Sequence, residues 1–286
     1  MPTLRVIRRR IQSVRNTAKI TKAMELIAAT KMRRAQQRVL AGRPYADKLH
    51  AIFAHLAALP AEPGETHPLL QRRPVRNLGV VEFSPDRGLA GGLPSNLNRR
   101  TGAFILEHRE PVLAVAVGKK GRDFLVRSGQ ALKAEFTGLG DQPQVADITA
   151  LARLIIDWYT QGTVDQVSLV YPRFVSTMVQ RPVVEPLLPI DPAALAEGAP
   201  RADYIFEPSR ELLLDAVLPR FVEMTLYHVL LETAACEQSA RMVAMRSATD
   251  NANEMIVDLT LTYNKARQES ITKELLDIVG ASAALE

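Results

Sequence analysis

The chain has 286 residues, of which 47% are hydrophobic, and its net charge is +5, which fits one large or two ordinary folded domains. A single cysteine excludes an internal disulfide, and the lack of any run of about 18 apolar residues excludes a membrane-spanning helix. Only 5% of the residues are aromatic, which favours closely packed helices over a bulky core.

Two helical segments are predicted at the N-terminus. Residues 3–41 contain neither Gly nor Pro, and Gly42 and Pro44 then predict a break before a second helix over 45–59. Small or apolar residues recur along the first segment at alternating three- and four-residue steps, which is a heptad seam interrupted by one Glu. The seam consists of Ile7, Ile11, Val14, Ala18, Thr21, Glu25, Ala28, Met32, Ala35 and Val39.

A second apolar row lies beside this seam and consists of Ile20, Met24 and Ile27. A helix with two apolar rows is expected to contact more than one partner. Two other interpretations of the N-terminal segment stay open, since an Arg-rich amphipathic start is also typical of a transit peptide or of a nucleic-acid-binding arm. The arm would use the basic residues Arg8, Arg9, Arg10, Lys31, Arg33 and Arg34.

The middle of the chain predicts an α/β domain. Residues 60–76 are rich in Pro and mark a boundary, and residues 186–208 are Pro- and Ala-rich and irregular. Between them strands alternate with helices, which predicts a βαβ sheet covered by helices on one or both faces. The strands are predicted over 77–83, 112–117, 131–136, 164–171 and 178–188, and the helices over 95–110, 118–127 and 146–161.

A glycine-rich turn follows the first predicted strand and contains Gly88, Gly91 and Gly92. A strand, a glycine-rich turn and a helix also build dinucleotide and P-loop sites, but the spacing here matches neither motif. The turn holds Asp86 beside Arg87, two side chains that can satisfy each other. A contact loop or a simple tight turn is therefore favoured over a nucleotide site. The five histidines have no metal-ligand spacing, and Cys236 is predicted to be a buried, inert thiol.

The C-terminal part of the chain predicts one very long helix. Residues 220–279 contain neither Pro nor Gly, and a helix of that length would span roughly 90 Å. Ser209 is a suitable N-cap, and Pro219 is expected to end or kink the helix. A heptad seam recurs here too, with one polar interruption at Gln238. Its members are Ala235, Gln238, Met242, Met245, Thr249, Ala252, Ile256, Leu259, Tyr263 and Ala266.

The two terminal seams are predicted to pair with each other. A seam this long needs a partner helix of similar length, and the N-terminal helix is the obvious candidate. Residues 1–58 hold 13 Lys/Arg against 2 Asp/Glu, while residues 209–286 hold 7 against 12. Segments of opposite charge attract each other when they lie side by side.

Several long motifs resemble the gamma subunit of F-type ATP synthases. The matching segments are 11–24, 28–32, 86–89 with 91–92, 237–245, 248–252, 259–268 and 271–275. The resemblance implies an α/β fold class in which the N- and C-terminal helices form a long antiparallel coiled coil around an inserted Rossmann-like domain. The coiled coil would comprise 1–59 and 209–286, the α/β domain 75–190, and the linkers 60–74 and 191–208.

The function implied by the resemblance is that of a non-catalytic central rotor shaft, present in one copy per complex. Its partners would be the ring of alpha and beta subunits, the epsilon subunit and the membrane c-ring, at the cytoplasmic face of the cell membrane. No catalytic residue, cofactor, metal or nucleic acid is expected. Ala90 stands where many family members have Cys, and the cysteine pair of the plastid thiol switch is absent.

Partner contacts are implied for eight residues. Arg267 and Gln268 would meet the catch loop of a beta subunit, and the turn would meet the acidic lever segment of beta. Met24 would lie on the shaft near that interface, and Tyr204 and Glu207 would face the c-ring. The contacts in the turn are assigned to Asp86, Arg87 and Gly88. Two other classes stay open, a nucleotide-dependent enzyme that uses the α/β domain and a homodimeric coiled-coil scaffold.

Overall fold

The computed structural model describes residues 3–58, 67–140, 143–191 and 210–283. Two long helices occupy the ends of the chain, α1 (Leu4–Ala58) and α5 (Arg210–Ala283). In the described residues between them lie five strands, three α-helices and one short 3-10 helix (Pro68–Leu70). The strands are β1 (Leu78–Phe83), β2 (Val112–Val117), β3 (Ala131–Phe136), β4 (Gln166–Phe174) and β5 (Gln180–Leu188). The helices are α2 (Leu93–Glu107), α3 (Lys119–Arg127) and α4 (Ala146–Thr160). The predicted fold class is confirmed.

The five strands form one sheet in the order β3-β2-β1-β4-β5. Strands β1 to β4 are parallel, and β5 runs antiparallel to β4. Parallel strands need a crossover connection, and the intervening helices supply it. The fifth strand begins at Gln180 rather than at the predicted residue 178, because the preceding residues form a turn in which the backbone N–H of Val175 donates to Val179 O.

Helices cover both faces of the sheet. Strand residues alternate between the faces, so that Val81 and Phe83 point to one side and Val80 and Glu82 to the other. The first face packs on α4 and on the first third of α5, through the buried residues Ile148, Leu151, Ile155, Leu218, Val222 and Leu226. The second face packs on α2 and α3, through Phe104, Ile105 and Leu125. This two-sided cover explains the nearly continuous apolar strands.

The chain divides into two compact units, and both long helices contribute to each. One unit comprises Met1–Ala28 with Arg241–Glu286, and the other comprises Ala29–Ala240. The second unit contains the whole sheet. The domain boundaries implied by the resemblance stay a prediction.

The helix pair of the first unit is antiparallel. The hydroxyls of Thr21 and Thr249 lie 2.7 Å apart in its buried centre, and Arg8 Nη2 donates to the Tyr263 hydroxyl at 2.9 Å. From the first contact to the second, the chain goes from Thr21 back to Arg8 along α1 but forward from Thr249 to Tyr263 along α5, so the two helices run in opposite directions. All ten predicted seam positions of α1 and all ten of α5 are buried or half-buried. The heptad patterns therefore identified the inner face of each helix.

The helix break predicted at Gly42 and Pro44 does not occur, and α5 does not end at Pro219. Helix α1 continues through Gly42 and Pro44, and α5 continues through Pro219. A proline inside a helix removes one backbone hydrogen bond and costs about 3 kcal/mol, which the flanking residues can offset. Around Pro219 the offset comes from Leu218 and Val222, both fully buried against the sheet.

Engineered cysteines test the antiparallel pairing. We expect the full chain carrying Thr21→Cys and Thr249→Cys to form a disulfide within one molecule on oxidation. The reason is that the hydroxyls of the two replaced threonines lie 2.7 Å apart. Non-reducing electrophoresis should show a monomer of altered mobility. The matched control joins the exposed Thr17 and Thr262, which lie about 13 Å out of register and should not crosslink within the chain. Crosslinks found only between chains would contradict the pairing.

Candidate functional site

The 86–92 loop connects β1 to α2 and is held from inside its own unit by Asp86. One carboxylate oxygen accepts a hydrogen bond from Lys119 N at 3.0 Å, and the other accepts one from Gly138 N at 2.8 Å. Lys119 begins α3, so the carboxylate also lies at the positive end of that helix dipole. Asp86 is thus satisfied by backbone N–H groups of two other segments and not by its neighbour Arg87.

The other end of the loop is anchored by Ala90, which is buried among apolar residues of α2 and α5. These residues are Leu93, Leu97, Cys236 and Ala240. Between the two anchors, Arg87, Gly88 and Leu89 are exposed. Leu89 is 60% exposed and has a φ of 63°, a conformation that costs a residue with a Cβ about 1–2 kcal/mol. A loop that holds a leucine outward at this cost is typical of a contact surface.

An open groove of about 850 Å³ lies beside the loop, between Leu89 and Asn98 on one side and α3 and β3 on the other. Its walls contain both positively and negatively charged side chains. Arg122 donates to Asp123 Oδ1 at 2.8 Å, and this hydrogen bond raises the pKa of Arg122 and lowers that of Asp123. Arg122 also lies 3.5 Å from Glu135 Oε1. Such paired ions suit a protein surface of mixed charge better than a phosphate, which is typically held by backbone N–H groups at a helix start.

The described ranges contain little that points to catalysis. Within them, no three His, Cys, Asp or Glu side chains are arranged to hold a metal ion, and no helix is long and apolar enough to cross a membrane. Cys236 is fully buried, and its Sγ donates to Pro172 O at 3.2 Å. Burial raises the pKa of the thiol, so it stays protonated at neutral pH and is a poor nucleophile, as predicted.

A second candidate surface lies on the part of α5 that extends past the start of α1. Because Tyr263 lies opposite Arg8, the first residues of α1 reach only about as far as Arg267. Arg267 and Gln268 are exposed. The apolar side chains beyond them are also exposed, namely Ile271 (48%), Leu275 (57%), Leu276 (66%) and Ile278 (67%).

The second apolar row of α1 is only partly covered within its own unit. Ile20 is 60% exposed and Ile27 is 55% exposed, while Met24 between them is half-buried. From the register of the helix pair, Met24 and Arg267 are separated by about 30 Å along the pair, so they belong to different contact regions. Tyr204 and Glu207 lie outside the described residues.

Sequence reasoning missed one residue, Glu82 in β1. Its carboxyl is fully buried, and burial raises its pKa from 4.5 to about 7, against a smaller opposing effect of the Thr101 hydroxyl. The signal was available, because a single Glu interrupts the apolar run of a strand that was correctly predicted to be buried.

Comparison with known proteins gives full-length matches. The family model described as ATP synthase matches residues 3–285. The chain is 56% identical over 285 residues to the ATP synthase gamma chain of Dehalococcoides mccartyi strain CBDB1, with 100% of both chains covered. It is 52% identical to the ATP synthase gamma chain of Roseiflexus castenholzii, with 100% of this chain and 99% of the relative covered.

Two solved structures are similar as well. The central stalk and c-ring structure of the Tetrahymena thermophila mitochondrial ATP synthase includes a chain with a TM-score of 0.61 and 25% identity, over 80% of this chain and 99% of that one. A chain of the Euglena gracilis mitochondrial ATP synthase has a TM-score of 0.70 and 21% identity, over 99% of this chain and 94% of that one, and this likeness concerns the fold alone.

The structural role of Asp86 is separable from a contact role of Arg87. We expect Asp86→Ala to lower the free energy of unfolding by about 1–3 kcal/mol, because two hydrogen bonds to a charged group are lost. Asp86→Asn keeps one acceptor oxygen, so its free energy of unfolding should lie between those of Asp86→Ala and the wild type. The exposed Arg87→Ala is the matched control and should change stability by less than about 0.5 kcal/mol. Urea unfolding of the full chain, followed by circular dichroism, measures both, and equal effects at the two positions would contradict the anchoring role.

Proposed function

The chain belongs to the family of ATP synthase gamma chains, and from this membership we propose that it is the central rotor shaft of a rotary ATP synthase. A membrane ring of c subunits, turned by the flow of ions, turns the shaft. The shaft in turn drives the catalytic beta subunits through their open and closed conformations, so that ATP is made. The observation that carries the proposal is the match over the full length of the chain.

The paired terminal helices have the properties that such a shaft requires. A coiled coil is stiff, and its outer surface differs from side to side. One side of α1 carries the apolar row around Met24, while the exposed basic residue Arg33 lies about 180° around the helix from Met24. An uneven surface contacts each beta subunit differently and therefore favours a different conformer of each one. A difference of about 1.4 kcal/mol changes a ratio of conformers tenfold.

The proposed partners are the alpha and beta subunits around the helix pair and the epsilon subunit and c-ring at the α/β domain, with one gamma chain in each complex. Tyr204 and Glu207 would face the c-ring. We assign the coiled coil to 1–59 and 209–286 and the α/β domain to 75–190. The relatives are bacterial gamma chains, which supports a peripheral position on the membrane, and we place it on the cytoplasmic face.

The proposed beta contacts comprise two surfaces. In the 86–92 loop, Arg87 and Gly88 would meet the acidic lever segment, while Asp86 holds the loop in position. On α5, Arg267 and Gln268 would meet the catch loop of one beta subunit at a time. The chain itself would bind and hydrolyse no nucleotide. This assignment is consistent with the inert thiol of Cys236 and with the mixed charge of the groove.

Arg267 tests the catch-loop contact. In the assembled complex Arg267→Ala should slow ATP turnover about tenfold or more, since a hydrogen bond to a charged group contributes about 1.5–3 kcal/mol. Arg267→Lys should recover only part of the rate, because an ammonium cannot hold a carboxylate with two parallel hydrogen bonds.

The matched control for this experiment is Lys265→Ala. Lys265 is exposed and lies about 200° around the helix from Arg267 at nearly the same height, so its removal should leave turnover unchanged. Wild-type turnover by a fully assembled Arg267→Ala complex would contradict the contact.

Met24 tests the apolar row. A lysine at this half-buried position places an ammonium where another subunit is expected to pack, and the charge must then lose water or acquire a carboxylate. We expect Met24→Lys to leave the complex assembled but to lower several-fold the number of ions pumped per ATP hydrolysed. Met24→Leu keeps the apolar contact and should behave as wild type. Pumping into membrane vesicles, measured together with ATP hydrolysis, gives the ratio, and an unchanged ratio in Met24→Lys would contradict the assignment.

A further inference from the structure

We propose that Glu82 is a pH-sensitive element inside the α/β domain, a carboxylic acid that binds a proton when the domain is tightly packed and whose ionisation loosens the 86–92 loop. The inference concerns the chain alone. Its consequence for rotation depends on the proposed contact between that loop and beta, but its test does not.

The surroundings of Glu82 suit a neutral acid. The side chain is fully buried on the sheet face that packs on α2 and α3. The residues paired with it on the two neighbouring strands are Ala116 and Val170, both fully buried and apolar. Helix α2 contributes Asn98 and Thr101, and α3 contributes Gly121. Among the described residues of these elements, none that faces the carboxyl carries a charge.

The hydrogen bonds at this position are incomplete for an ionised carboxylate. Asn98 can satisfy both of its polar atoms only with its amide nitrogen toward the strand, where it donates to Glu82 Oε1 and to Pro94 O at 3.0 Å each. The other carboxyl oxygen, Oε2, is buried beside the Thr101 hydroxyl. In the described structure these two atoms have no hydrogen-bond partner except each other. The Thr101 hydroxyl can donate to the carboxyl and so lowers its pKa, but this one neutral donor and the Asn98 amide are too few to offset the burial of an ionised carboxylate.

The space around the carboxyl excludes a larger cation. At Gly121 an added Cβ would lie 3.0 Å from Glu82 Cδ and 3.2 Å from Oε2, so the backbone of α3 already fills this side. Lys120 and Arg122 flank Gly121 but line the groove instead, where Arg122 pairs with Asp123. The backbone of α3 thus leaves no room for a larger cation on this side, whereas a proton on the carboxyl needs none.

The carboxyl is linked to the 86–92 loop by two short connections. Asn98 both donates to Glu82 and lines the groove together with Gly88 and Leu89 of the loop. Two residues after Glu82, Ser84 Oγ accepts a hydrogen bond from Gly121 N at 2.7 Å, which ties the end of β1 to α3. An ionised carboxylate would compete with Ser84 for the few N–H and O–H donors nearby. Ionisation should thus change the hydrogen bonds that join β1 to α2 and α3, the helices that hold the loop.

The direction of the pH effect follows from the shift of the pKa. Burial raises the pKa of Glu82 from 4.5 to about 7 in the folded chain. Between these two pH values the folded chain holds a proton that the unfolded chain has released. The stabilisation is therefore complete below pH 4.5, is lost as the pH rises to about 7, and changes no further above it.

The experiment uses the full chain with ¹³C-labelled glutamate carboxyls. One carboxyl resonance should titrate with a midpoint near 7, and it should be missing in Glu82→Gln. Thr101→Val removes the hydroxyl that lowers this pKa, so it should move the same midpoint upward and assign the resonance even if Glu82→Gln does not fold. The exposed Glu107→Gln on α2 is the matched control and should leave the midpoint unchanged.

Hydrogen exchange tests the link to the loop. After correction for the intrinsic pH dependence of exchange, amides of 86–97 should lose protection several-fold between pH 6 and 8 in the wild type and in Glu107→Gln, but not in Glu82→Gln. A Glu82 midpoint near the usual 4.5 would overturn the proton-binding role. If Glu82 titrates near 7 but the exchange rates of the loop amides do not follow that titration, the coupling between Glu82 and the loop is overturned. Neither outcome would bear on the proposal that the chain is the central rotor shaft.

Discussion

Close approach of α1 and α5 through small side chains determines what the coiled coil presents outward. Ala18, Thr21 and Ala28 on one helix, and Thr249 and Ala252 on the other, leave little space between the backbones. The buried hydrogen bond in this seam, between the two threonine hydroxyls, can form only in one register. Because the register is fixed, the positions of Met24 and Arg267 on the outer surface are fixed with it.

In the α/β unit the contact loop depends on bonds that it does not itself contain. Asp86 reaches the start of α3 and the segment after β3, and Ala90 packs into a small apolar cluster with α5. These anchors hold three exposed residues, Arg87, Gly88 and Leu89, and Leu89 has a backbone conformation that a free loop would seldom adopt. The loop is thus a rigid projection of the sheet, and the strand beneath it contains the buried acid Glu82.

The sequence predicted the elements and the inner helix faces because these depend on periodicity, which is local. Heptad steps identified every seam position, and alternation of apolar strands with helices predicted the sheet. The helix break predicted at Pro44 was wrong, and α5 does not end at Pro219, because propensity assigns a proline its local cost without the packing that offsets it. The hydrogen-bond partners of Asp86 and of Glu82 belong to segments brought together from elsewhere in the chain. No spacing rule could therefore predict them.

The insertion of the sheet between the two seam helices has a consequence for synthesis on the ribosome. Thr21 and its partner Thr249 are separated by 228 positions, a stretch that takes about ten to fifty seconds to translate. During that time the sheet can fold, but the apolar seam of α1 has no helix to pack against. The seam of α1 therefore emerges long before it can be covered, and the cell must keep it from aggregating until α5 is complete.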